Sequence, residues 1–462
     1  MESRLLWRGA MGALLLGMLP AMARAQIAVS RPPVQEPVQQ QEVPFAFTGS
    51  TLDRLALVSA VLERNQDVAA ARWAIDGAKA RAAEVRELPN LTASYSFAPA
   101  SPFASGVRYG QVVQVSQTLP WPGTLTRRGE QADALADAST GDLEALRREL
   151  ALVASDAFDD YEYVERALAI NGEHLVLLRE FQEVATARYA AGLAPQQAPL
   201  AAEVEIAHLE HREVVLTTDR QTLIARVNAL LHRDPRAPVP APAPTVRPVP
   251  SVPKLPLSEL VQLALARRPE LAAARSRVAA QETGVELARL EGRPTFQPMA
   301  SYDSMWGTGA HRWMVGLGVS VPIWRGRIRA GVARATSAVL EQRSRLAALE
   351  ARVAADVSVA LDRFQESHHV LTLYQSRLLP AARDQTAAAQ TAFETGQVDF
   401  LAVIDAERRL RDVELGFAGA RADALRRFAA LQRALGDLPG DPRPPDGPSS
   451  TSSIPSGSGG TP

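Results

Sequence analysis

The run Arg312-Trp-Met-Val-Gly-Leu-Gly-Val-Ser-Val321 decides how this chain is read. Trp313, Val315, Leu317, Val319 and Val321 share one parity, and Met314, Gly316, Gly318 and Ser320 share the other. A period of two describes a β-strand with one apolar face and one small or polar face. Val107–Leu119 repeats the pattern more loosely, with Val107, Tyr109, Val113, Val115 and Leu119 set against Arg108, Gly110, Gln114, Ser116 and Thr118. A tilted strand of about ten residues crosses the hydrocarbon of a bilayer, and apolar-out, polar-in alternation is the signature of a membrane β-barrel. Both runs end in Pro and Trp, at Pro120-Trp121 and Pro322–Trp324, and lead into long helical patterns.

Working outward, a shorter alternating run precedes each of these. Leu91, Ala93, Tyr95 and Phe97 alternate with Thr92, Ser94 and Ser96, and turn-rich Pro99–Gly106 joins this strand to the next as a hairpin. The expected strands are therefore about 91–98, 107–119, 295–303 and 312–321. Thr51–Leu88 carries an apolar stripe at helical spacing through Leu52, Leu55, Val58, Leu62, Ala69, Trp73 and Ile75. From about 125 to 190 a single helical pattern runs through Leu143, Leu146, Leu150, Val153, Ala157, Val164, Leu168, Leu175 and Leu178, with Asp160 as a gap. That is about 100 Å of helix, far beyond a globular average, and implies a coiled coil. Gly192-Leu193-Ala194-Pro195 stops it, and a helix over 197–232 doubles back.

The chain then repeats itself. Val61-Leu-Glu-Arg-Asn-Gln-Asp-Val-Ala-Ala-Ala-Arg72 aligns with Ala264-Leu-Ala-Arg-Arg-Pro-Glu-Leu-Ala-Ala-Ala-Arg275, and Tyr189-Ala-Ala-Gly192 with Phe393-Glu-Thr-Gly396. Pro120 and Gly129 align with Pro322 and Gly331, and Glu203 with Glu407, at offsets of 202 to 204 residues. Each copy reads helix, strand, strand, long helix, turn, helix. The second has helices at about 257–291, 327–394 and 399–435. The expected organisation is a signal peptide over 1–25, an extended leader over 26–50, one repeat over 51–233, a Pro-rich linker over 234–256, a second repeat over 257–437 and a disordered tail over 438–462. Arg4 and Arg8, an apolar run and Ala23-Arg24-Ala25 mark the signal peptide. No later run is long and apolar enough for a membrane helix.

Composition narrows the function classes. Among 462 residues the formal net charge is −1, which gives no bulk electrostatic case for nucleic acid. Lys79 and Lys254 are the only lysines. There is no cysteine, so disulfides, thiol catalysis and thiolate metal sites are excluded. No nucleophile elbow, phosphate loop or dinucleotide fingerprint is present, and the chain reads as a non-enzyme without a cofactor. His208 with His211, and His368-His369, are the histidine clusters. Neither is surrounded by carboxylates at ligand spacing, and no metal site is expected.

Strand count then sets the assembly. Four membrane-length strands cannot close a barrel, and an open edge in lipid leaves backbone groups unpaired at several kcal/mol each. Barrels of this kind begin at about eight strands, so several chains must share one; two copies give eight strands and almost no lumen, and three give twelve and an open pore. With three copies the expected fold class is mainly α with a membrane β-barrel, the duplicated repeat forming a trimeric 12-stranded β-barrel on a long periplasmic α-helical barrel. Trp306, Trp313, Trp121 and Trp324 lie near strand ends, as an aromatic girdle would.

In this layout, in the strand exit Gln117-Thr-Leu-Pro-Trp-Pro-Gly123, and in Thr395-Gly396 followed by Val403-Ile404-Asp405-Ala406, the chain resembles the outer membrane efflux protein family, the TolC-type channels, over about residues 50–437. The Leu-Pro-Trp-Pro-Gly run is most similar to the branch serving heavy-metal efflux. The resemblance implies a homotrimer in outer membrane lipid of a Gram-negative bacterium, a periplasmic adaptor (membrane fusion) protein and an inner-membrane RND-type pump. It implies a periplasmic tip at the turns Gly192-Leu193 and Gly396-Gln397, where the channel closes and meets the adaptor. Asp405, nine residues after Gly396, matches an aspartate that faces the pore at the constriction. The family's companion aspartate is Ala402 here, with Asp399 as its substitute. The function expected is a passive duct exporting small molecules or metal ions. The alternatives are the duct of a type I protein secretion system and a soluble periplasmic coiled-coil scaffold.

Overall fold

Each half of the chain begins with a stretch that periodicity predicts as one helix, and in each a single residue breaks it. The computed structural model describes residues 47, 49–98, 110–243, 247–304 and 312–439. From Gly49 onward these form one unit. The first helical stretch divides at Asn65 into α1 (Arg54–Arg64) and α2 (Gln66–Glu84). Asn65 takes an extended ψ of 127°, its side chain accepts the Asp67 N–H at 2.9 Å, and its Nδ2 donates to the Leu230 carbonyl at 3.2 Å. The expected 257–291 helix divides at Arg268 into α5 (Leu257–Arg267) and α6 (Pro269–Leu290). Here Pro269 forces the preceding residue out of the helical region. Arg268 donates from Nε to the Ala434 carbonyl at 2.7 Å. Both break residues thus hold a carbonyl near the end of their own repeat's last helix, which a hydrophobic pattern cannot reveal.

The remaining elements follow the expected order. They are β1 (Thr92–Ala98), β2 (Gly110–Ser116), α3 (Thr124–Ala190) and α4 (Gln197–Leu230), then β3 (Thr295–Asp303), β4 (Trp313–Ser320), α7 (Arg325–Leu373), α8 (Leu379–Glu394) and α9 (Phe400–Leu435). The expected 327–394 helix is interrupted by one wide turn over Tyr374–Leu378, where the Leu379 N–H reaches back five residues to the Tyr374 carbonyl. Pro380 follows and has no N–H to continue the ordinary ladder. Tyr374 leans onto Gly416, where any Cβ would lie 2.6 Å from its hydroxyl oxygen.

The four strands form one antiparallel sheet in the order β1-β2-β3-β4. Its register assembles the two faces expected from alternation. Tyr95, Val113, Tyr302 and Trp313 stand in one row across the sheet, and Ala93, Val115, Ala300 and Val315 in the next. Phe296 opposite Val319 and Pro298 opposite Leu317 complete an apolar face. The other face carries Ser94, Gln114, Ser301 and Met314 in one row and Thr92, Ser116, Met299 and Gly316 in another. Apart from Trp121 stacked on Phe296 at one end, the apolar face is largely uncovered among the described residues: Val315 is 90% exposed and Trp313 74%. Pairing continues past β2, since the Leu119 N–H donates to the Phe296 carbonyl at 2.7 Å. Val107–Tyr109, the hairpin 99–106, Trp306, the signal peptide and most of the leader and tail lie outside the described residues.

The helices carry the core. In α3, Leu143, Leu150, Ala157, Val164, Asn171, Leu178 and Ala185 recur every seven residues and all are buried. Leu146 and Leu168 are only partly covered and Val153 is exposed, so three expected seam positions lie at its margin. A second core joins α5, α6, α7 and α9 through Leu260, Leu271, Val357, Phe364, Phe428 and Leu431. The linker is extended, as expected, but it is fastened. Pro242 bridges to Leu52, and Asn228 Nδ2 donates to the carbonyls of Pro235 and Ala237 at 3.2 and 2.8 Å. Arg247 pairs with fully buried Asp159 at 2.6 Å, which also takes Arg54 at 3.1 Å.

Phe364 is fully buried, with its ring centroid 5.4 Å from that of Phe428. Phe364→Ala is expected to cost about 3–5 kcal/mol. Glu366→Ala, an exposed change two residues on, should stay within about 0.5 kcal/mol. Equal unfolding midpoints for the two variants in detergent would remove Phe364 from the core.

Candidate functional site

Two helical hairpins end side by side, and their turns are built alike. Gly192 and Gly396 adopt φ of +73° and +72°, which only glycine reaches without strain. The Leu193 N–H donates to the Arg188 carbonyl at 2.8 Å, and the Gln397 N–H to the Ala392 carbonyl at the same distance. The Gly192 and Gly396 N–H groups donate to Tyr189 and Phe393. These paired bonds satisfy helix-end carbonyls in the Schellman arrangement. Behind the turns, Leu178, Ala185, Ala202, Leu209, Phe400 and Ile404 join α3, α4 and α9 in one apolar cluster. Phe393 packs on it against Phe400, and Arg188 covers the Phe393 ring at 4.3 Å. Tyr189, at the matching position of the first hairpin, stands 44% exposed.

One helical layer further in, the apolar seam gives way to buried charge. Glu205 of α4 is buried and receives Arg408 at 2.8 Å and Arg411 at 2.5 Å, both from α9. Burial alone would raise the Glu205 carboxyl, but the two guanidinium groups bring it below the ordinary value. His174 of α3 lies between two glutamates of α9, 3.5 Å from Glu407 and 3.1 Å from Glu414. Burial would lower the imidazole's pKa; hydrogen bonding to Glu407 and Glu414 overcomes this and lifts it to about 9. Gln390 also donates to Glu407 at 2.9 Å, and Arg383 lies 3.4 Å from Glu414. The Glu205 and His174 contacts tie the α8–α9 hairpin to the α3–α4 hairpin, and those of Gln390 and Arg383 join α8 to α9. Removing one partner of such a buried pair typically costs about 3–5 kcal/mol.

Asp405 is on α9 near the tip, 60% exposed, with Arg408 one turn along at 3.4 Å. Asp399 is taken up at the start of α9, where its Oδ1 accepts the Ala402 N–H at 3.1 Å as an N-cap. Leu193 is strongly exposed and Gly192, Gly396 and Gln397 lie at the surface. Trp313 sits at one end of the sheet against Tyr302, with centroids 5.1 Å apart. Trp121 stacks on Phe296 at the other end, and Trp324 stands exposed nearby. His208 and His211 line a recess with Arg408 and Arg411. Among the described residues no three His, Asp or Glu side chains group as a metal site would.

The residues that sequence reading passed over are His174, Glu205, Glu407, Arg408, Arg411 and Glu414. A signal existed. Phe400, Ile404, Glu407, Arg411, Glu414 and Ala418 follow one 3.5-residue stripe, so charged residues occupy seam positions of α9. The repeat alignment set Glu203 against Glu407, whereas the buried acid in α4 is Glu205.

The raised His174 pKa has a definite sign in stability. The folded state holds the proton up to about pH 9, while an unfolded histidine releases it near 6.5. The contribution is complete below pH 6.5 and is lost as pH rises through 9. His174→Gln should therefore lower the unfolding midpoint at pH 6.5, by an energy on the order of 3 kcal/mol, and approach the wild type above pH 9. A difference that does not change with pH would mean the imidazole is neutral when folded.

With this geometry in place, comparison with known proteins is informative. Residues 260–437 match the family model described as outer membrane efflux protein. No curated protein sequence matches significantly. Among solved structures, the outer-membrane channel OprN is 24% identical, covering 83% of this chain and 89% of its own, with a TM-score of 0.69. CusC, described through conformational changes accompanying folding and transmembrane channel formation, is 18% identical, covering 86% and 96%, with a TM-score of 0.73. The outer membrane protein VceC from Vibrio cholerae is 17% identical, covering 83% and 96%, at 0.70. These likenesses establish the fold over nearly all of the described chain and leave the heavy-metal branch unassigned. The second repeat thus carries the sequence of the outer membrane efflux protein family, and the fold of these solved channels extends across both repeats.

Proposed function

We propose that this protein is a passive duct through the outer membrane, three copies of which share one barrel of twelve strands, and that it exports small molecules or metal ions delivered from an inner-membrane pump of the RND type through a periplasmic adaptor. The observation that carries this reading is the sheet. Among the described residues it has four strands, with β1 and β4 at its edges, and an apolar face covered only at one end, by Trp121. In lipid each unpaired edge group costs several kcal/mol, so β1 of one copy must meet β4 of another. The α3 helix of 67 residues, about 100 Å long, then extends the duct into the periplasm.

The turns at Gly192-Leu193 and Gly396-Gln397 form the periplasmic tip and meet the adaptor. Three exposed Asp405 carboxylates ring the constriction and favour cations. Arg408, beside each of them, moderates that preference. Asp399 contributes little, since its carboxylate is committed to the helix start. Opening is a sideways shift of α8 and α9 that breaks the contacts of Glu205 with Arg408 and Arg411. Adaptor binding biases this two-state change.

Two measurements test the reading. The protein should fractionate with outer membranes as a trimer; recovery as a soluble periplasmic monomer would overturn it. In planar bilayers Asp405→Ala should raise conductance and lower cation preference. Unchanged conductance and selectivity would remove Asp405 from the constriction while leaving the duct intact.

A further inference from the structure

Where the sheet passes into the helices there is a recess of about 990 Å³ that the export reading does not use. Arg81, Arg128, Arg293 and Arg327 line it, from α2, α3, the loop before β3, and α7. Against these four guanidinium groups stands one lining carboxylate, Glu291. Arg81 has a partner in Glu84. Arg128 and Arg327 are exposed and have no carboxylate partner among the described residues. Arg293 lies 5.7 Å from the centre of the Trp121 ring.

The recess is continuous with the apolar face of the sheet. Trp121 in its wall stacks on Phe296, with centroids 6.2 Å apart, and Phe296 is opposite Val319 on that face. Val321, Ile323 and Trp324, also in its wall, are all exposed. A ligand that fits must therefore bring apolar chains to one side and negative charge to the other. Guanidinium groups match phosphate oxygens in bidentate geometry, and tryptophan rings settle at the level of lipid headgroups. The α3 and α7 helices also begin here without a side-chain cap, which adds to the positive potential.

We propose that this recess is a binding site for an anionic phospholipid of the periplasmic leaflet, with its phosphate held by Arg128, Arg293 and Arg327 and its acyl chains along Val321, Ile323 and Trp324. The site rests on the membrane reading of the sheet, and it anchors the protein at a fixed depth. An excess of positive charge selects an anionic headgroup over a zwitterionic one, at about tenfold or more for several arginines near a surface.

The test is native mass spectrometry of the purified trimer released from micelles containing both phosphatidylglycerol and phosphatidylethanolamine. Wild type should retain phosphatidylglycerol preferentially. Combined Arg128→Gln, Arg293→Gln and Arg327→Gln should reduce that preference by about tenfold or more while the trimer still forms. The corresponding triple lysine variant should keep most of it. No preference in the wild type, or an unchanged preference in the glutamine variant, overturns the site. Full displacement of the lipid by inorganic phosphate would show a free-anion site and also overturns it. Recovery of the wild type from the soluble fraction would instead defeat the membrane reading, a separate result visible before any lipid is measured.

Discussion

A sheet with two open edges and one apolar face cannot come to rest by itself, and the rest of this molecule follows from that shortfall. β1 and β4 stand at the edges of the sheet, with no further strand beside them among the described residues. In water such edges invite aggregation; in lipid they are prohibitive. The apolar side chains deepen the demand. Row after row across the register, from Tyr95 to Trp313 and from Ala93 to Val315, the same face is apolar and uncovered. The small, polar opposite face suits contact with water rather than a packed core. Ser116 receives a hydrogen bond from Gln297 at 3.2 Å there, and Met299 closes over Gly316 and Gly318.

The helical part solves a different problem, which is to hold long elements in register without a globular core. A seven-residue repeat does this along most of α3, and the cluster around Phe364 and Phe428 does it in the second repeat. The linker contributes as well. Its carbonyls take hydrogen bonds from Asn228, and Arg247 inserts its charge between Asp159 and Glu162, where Arg421 also reaches. A segment that composition describes only as extended therefore binds α1, α3 and α9 together.

Charge placement differs along the helical part. Around Asp159 the ion pairs are buried and cross-linked among several elements. Near the tip, two sets of contacts join one hairpin to the other: Glu205 with two arginines, and His174 with two glutamates. Apolar packing alone would tolerate sliding between helices. Paired charges in a low-dielectric seam set one register and penalise intermediate positions, which is the condition for two discrete states.

Much of this was legible in the residues. Alternation from Trp313 to Val321 and from Leu91 to Phe97 located strands, because a strand's side chains obey a period that no neighbour can alter. Gly192 and Gly396 located the turns, because their positive φ is a property of the backbone itself. The doubled order of elements showed in the offset between copies. What the linear pattern missed depends on partners far along the chain. Asn65 and Arg268 break helices by reaching carbonyls of Leu230 and Ala434. Asp399, read from sequence as a pore residue, caps the start of α9, whereas His174 looked like nothing and sits between Glu407 and Glu414. The sequence by itself determined the elements, their amphipathic faces and the turns, since these arise from local sterics and periodicity. Only the tertiary structure decided which charges are buried together, because burial and pairing across more than 200 residues are set by packing and not by any neighbour in the chain.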